Sequence, residues 1–162
     1  MKFRRLQADE LQELEAEFIR FLAANTVTGD DWEKLKRDTP DKADGLVDIF
    51  SDIVFEKIIK DTEYLEFRTA RDIKTFHCLA EKIVLNGLRV QGETALDFTQ
   101  EDLTPASMGQ LLRQSGAHLQ LYTAEKAYHP SREQEVFRML ENGALISKDG
   151  FLFKTLEGLK GG

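Results

Sequence analysis

Between Pro40 and Val90 the spacing of apolar residues changes from a helical repeat to a strand repeat, which confines the chain to mixed α+β folds. Leu46, Phe50, Ile53, Val54 and Ile58, with the stem of Lys57, recur at about 3.6 residues and predict the buried face of one long helix. From Tyr64 the period is two. Leu65 and Phe67 fall on one face of a strand, and Tyr64, Glu66 and Arg68 on the other.

Local signals fill in the remainder. Leu11, Leu14, Phe18, Phe21 and Leu22 form one stripe and predict a first helix over Ala8–Ala24, its early acidic residues matching the dipole. Thr28 and Asp31 are spaced to cap a short second helix that carries Trp32 and Leu35 and ends near Arg37. Thr39 followed by Pro40 opens the third and longest helix, with Gly45 its one weak point. Tyr64–Thr69 predicts a strand, and Ile73–Leu79 with Ile83–Val90 a hairpin around Ala80, Glu81 and Lys82. The second arm of that hairpin is apolar on both faces, as a central strand is. Thr104 and Pro105 start a helix through Leu112, His118–Ala127 alternates as a strand, and Ser131 with Gln134 caps a helix carrying Val136, Phe137 and Leu140, with Gly143 beyond its end. Phe151–Leu159 fits a helix better than the hairpin that Lys148–Gly150 could turn.

The expected architecture is α+β: three N-terminal helices packed on a mostly antiparallel sheet of about four strands, with C-terminal helices. At 162 residues the chain can bury a core without staples, and a single domain over 1–162 is expected, helical over 1–62 and sheet-bearing over 63–162. The start of the sequence holds no apolar signal segment, and no run reaches the ~18 apolar residues of a membrane helix. One cysteine excludes an internal disulfide and suits a reducing cytoplasm.

Several of these pieces resemble a known family. Phe18–Asn25, Thr28–Trp32, Phe50–Glu56, Tyr64–Glu66 and the closing stretch from Asn142 and Gly143 to Phe153 are similar to a family of small uncharacterised bacterial proteins, a domain of unknown function of this length. The resemblance covers most of the chain and rests on aromatic and aliphatic positions. It implies a bacterial, cytoplasmic, single-domain protein, and it brings no catalytic residue with it.

Chemistry is sparse on the remaining positions. His77 and Cys78 are neighbours on a strand and so point to opposite faces, which predicts a buried Cys78 and a partly exposed His77 rather than a reactive pair. Cys78, His118 and His129 lack the paired spacing of a zinc site, and no phosphate-cradling glycine loop is present, so neither metal nor cofactor is expected. Ser107, Ser115, Ser131 and Ser147 sit in no nucleophile-elbow context. Gly87, inside a strand, predicts a bulge or a close packing contact. Asp48 and Asp52, four apart, form a polar edge beside the long helix's apolar stripe. The net charge of −7 falls mostly on residues 1–62, and the short basic cluster of Lys2, Arg4 and Arg5 makes no nucleic-acid footprint.

That leaves Tyr64, Glu66 and Arg68 as the candidate binding residues: an aromatic beside a Glu–Arg pair on one strand face, in place of any catalytic set. The favoured function is a non-enzymatic interaction or regulatory module that binds an unidentified protein partner or self-associates, without nucleic acid or membrane. The alternative is a small enzyme or small-ligand binder using the same polar cluster. What separates them is whether those residues line a concave pocket or a flat surface.

Overall fold

The computed structural model describes residues 1–94, 96–100, 102–115 and 118–160; the side chains of Gln114 and Ser115 lie outside the described set. The fold is α+β, and the chain forms two compact units, residues 1–60 and 61–162.

In the first unit the expected single N-terminal helix is divided into α1 (Ala8–Glu13) and α2 (Glu15–Ala24), because Leu14 leaves helical geometry at φ −102° and ψ 23°. α3 (Gly29–Asp38) starts on a reciprocal cap: Asp31 N–H donates to Thr28 Oγ1 and Thr28 N–H to the Asp31 carboxylate, each at 3.1 Å. α4 (Pro40–Asp61) is the long helix, and its buried residues are Ala43, Val47, Phe50, Ser51, Phe55 and Ile59. The buried stripe is therefore rotated from the expected one, and Ile53 and Ile58 are exposed.

The rotation has a cause in the N-terminal segment, which α4 grips with its polar side chains. Asp52 accepts the backbone N–H groups of Lys2 and Phe3, at 2.7 and 3.1 Å. Asp48 holds the Arg5 guanidinium by two bonds, at 2.6 and 3.1 Å. Ser51 Oγ accepts from Leu6 N–H at 2.9 Å and donates to Val47 C=O at 2.6 Å, so a polar residue is buried without an orphaned group. Phe18 completes this core, packing edge-on against Trp32 at 5.1 Å and tilted against Phe50 at 5.0 Å.

The second unit is built on five strands: β1 (Tyr64–Thr69), β2 (Asp72–Cys78), β3 (Lys82–Val90), β4 (Leu119–Ala127) and β5 (Leu145–Ser147), in the order β4-β3-β2-β1-β5. Every pairing is antiparallel. The fifth strand is one more than expected; three residues are too few to show a period, and only pairing with β1 reveals it. Among the described residues three α-helices complete the unit: α5 (Pro105–Ser115), α6 (Arg132–Glu141) and α7 (Phe151–Leu159). The segment 151–159 is thus a helix and not a hairpin arm. Ile73, Leu88 and Val90 of the sheet, Met108 and Leu111 of α5, and Leu152 and Leu156 of α7 form one buried cluster with Phe98 and Leu103. No described helix is long and apolar enough to cross a membrane.

Candidate functional site

Alternation along β1 puts Tyr64, Glu66 and Arg68 on one face, together with Ile73, Thr75 and His77 of β2. That face is not open sheet surface. It is the one that α7 covers, since Asn86 on the same face donates to the Phe153 carbonyl and to the Glu157 carboxylate at 2.7 Å.

Tyr64 is absorbed by this packing. Its ring stacks on His77 at 4.5 Å, meets Phe153 at 5.7 Å, and lies against Gly150 so closely that a Cβ there would come within 2.5 Å of Cγ. Gly150 has φ +65° and caps the start of α7, so one glycine serves both the turn and the close approach. Tyr64 is a packing residue of the α7 interface.

Glu66 and Arg68 lie further along the strand and take a different role. The β1–β5 register covers only Tyr64, Leu65 and Glu66, so Phe67, Arg68 and Thr69 have no β5 partner. Beside this open stretch lies a cleft of about 370 Å³ lined by Glu66, Phe67, Arg68, Phe98, Thr99, Gly143 and Leu145. A volume of that size suits a small ligand or a short stretch of chain. Arg68 holds Glu66 through one nitrogen at 3.1 Å, with the Glu66 side chain 10% exposed and that of Arg68 28%. The Arg68 Nε–H is buried and has no acceptor among the described residues. An unmet buried donor costs about 1–3 kcal/mol, which an incoming oxygen would recover. At the rim, Leu145 is 67% exposed.

His77 and Cys78 point to opposite faces. His77 stacks on Tyr64, while Cys78 is buried, and Arg132 donates to the Cys78, Leu79 and Thr62 carbonyls. Burial pushes the Cys78 thiol up to about 11, against the partial relief of Arg132. A second polar group was not anticipated from the sequence: Asp72, Lys74 and Tyr122 bond to one another on the opposite face of the sheet. The spacing of Asp72 and Lys74 by two residues was a visible signal for half of it. Tyr122 joins only through the β3–β4 register.

Among the described residues no three or more His, Cys, Asp or Glu are placed to hold a metal ion. No curated protein and no solved structure matches the chain. A family model does match, over residues 1–161, in keeping with the resemblance carried by the aromatic and aliphatic positions. The chain belongs to a family of unknown function, DUF6495.

Proposed function

We propose that the protein is a non-catalytic recognition module, and that its site is the Glu66–Arg68 cleft at the open stretch of β1. Its occupant is an extended segment of a partner protein that brings one carboxylate to Arg68. The observation that supports this most is the buried Arg68 Nε–H, which has no acceptor among the described residues and lies in the wall of a cleft where β1 runs on past its pairing with β5. A strand laid along such an edge gains main-chain hydrogen bonds, while alternate side chains supply specificity. Leu145 offers apolar contact at the rim. The acidic balance of the chain disfavours nucleic acid as the partner. A bacterial cytoplasm is part of this reading; the lone unpaired cysteine supports its reducing character.

Selection of random peptides on the immobilised protein tests it. The expected result is enrichment of sequences sharing one acidic position, with Arg68→Gln weakening them about 10- to 100-fold, the loss of one charge-assisted bond. Enrichment without an acidic position, or equal binding by a folded Arg68→Gln variant, would refute the proposal.

A further inference from the structure

A second cavity, separate from the Arg68 cleft, lies between α6 and the other face of the sheet. It is open to solvent on one side, has a volume of about 170 Å³ and is lined by Phe67, Lys74, Phe76, Met139, Asn142 and Ala144. Strand alternation places Phe67, Lys74 and Phe76 together, since Phe67 is the cross-strand partner of Lys74. Met139 comes from the last turn of α6, and its thioether adapts to whatever fills the space. The walls are thus largely apolar, and the volume is close to that of a cavity known to admit a benzene ring, about 150 Å³.

The charged member of that lining has spare capacity. The Lys74 ammonium donates to Asp72 and, at 2.9 Å, to Tyr122 Oη, while Tyr122 passes its own proton bond to Asp72 at 2.5 Å. An ammonium has three donors, so one is left, and no described residue takes it. Burial works against the charge on Lys74, but its bonds to Asp72 and Tyr122 outweigh that and hold its pKa above the ordinary lysine value. Arg89 adds a second cation, its guanidinium 4.6 Å from the Tyr122 ring centroid. Arg89 is the cross-strand partner of Asp72, so both stand on the face of the sheet that carries Lys74.

We infer that this cavity binds a small monocarboxylic acid with one ring, or an equally bulky branched aliphatic group, its apolar part between Phe67, Phe76 and Met139 and its carboxylate on the free donor of Lys74. The inference is independent of the peptide cleft. Phe67 is the one residue common to both linings.

Titration of the full chain with benzoate, benzyl alcohol and acetate, followed through the Met139 methyl resonance, is the test. Saturable shifts with benzoate, at least tenfold weaker binding of benzyl alcohol and none of acetate are expected. Lys74→Met should abolish the preference for benzoate over the alcohol while the far-UV spectrum is retained. Absence of a saturable shift at Met139, equal affinities for benzoate and benzyl alcohol, or an unchanged preference in folded Lys74→Met would each overturn the inference. Should Lys74→Met fail to fold, the comparison of the three probes on the unaltered protein decides the matter by itself.

Discussion

The ring of Tyr122 lies flat on Gly87, its direct partner across β3 and β4: a Cβ at Gly87 would stand 2.1 Å from Tyr122 Cζ and 2.5 Å from both Cε atoms. The expected choice at this glycine, bulge or close approach, is resolved as close approach. By leaving room for the ring, Gly87 lets the Tyr122 hydroxyl reach Asp72 and Lys74 two strands away from its own.

Gly87→Ala should therefore displace the ring and destabilise the protein by about 1–3 kcal/mol, the usual cost of overpacking. Chemical denaturation measures it. In a Tyr122→Ala background the same substitution should cost well under half as much, because the atoms it collides with are gone. Equal costs in both backgrounds would show that the ring is not the obstacle.

Thr28→Ala should lower stability by about 1 kcal/mol through loss of the reciprocal cap on α3. Trp32 sits in that helix against Phe18, so its fluorescence follows the transition of the unit directly. A denaturation midpoint unchanged from the parent would contradict the cap.

The Cys78 thiol should resist labelling by a disulfide reagent at neutral pH until denaturant is added. Its pKa of about 11 leaves almost no thiolate, and burial denies access to what there is. Rapid stoichiometric labelling of the native protein would overturn this.

Acid should weaken the first unit through Glu10. The Arg4 guanidinium, bonded at 2.8 and 2.9 Å, and then the Gln7 N–H pull its pKa down to about 2. The folded value lies below the unfolded one, so the contribution is full above about pH 4.5 and is lost as pH falls toward 2. Glu10→Gln should be less stable than the parent at pH 7, and the gap should close by pH 2. A gap independent of pH across that window would show that ionisation of Glu10 is not its source.

Element types were legible in the chain because they are decided within a few residues. The caps at Thr28 and Ser131 and the proline-led start at Pro40 stand where their spacing places them, and β1 begins and ends where its alternation does. Single-turn geometry was less legible: nothing in the stripe of Leu11, Leu14 and Phe18 marks the break at Leu14. Neither did apolar spacing alone orient α4. Ser51, Asp48 and Asp52 turned it by bonding residues 2–6, partners more than forty positions away.

The candidate sites lie on the far side of that divide. A period of two sorts Glu66 and Arg68 from Leu65 and Phe67, yet it is symmetric between the two faces and does not say which one a helix will cover. α7, some eighty residues later, settled it by packing Phe153 against Tyr64 and leaving Arg68 at the open stretch of the edge. The Lys74 cavity and the Gly87–Tyr122 contact likewise exist only once strand register is set. Sequence by itself determined what the longer segments are, since propensity, capping and periodicity act locally, whereas the short β5 is a strand only through its pairing with β1. Only the tertiary structure decided what each side chain faces, because burial and hydrogen bonding depend on neighbours that the chain brings from a distance.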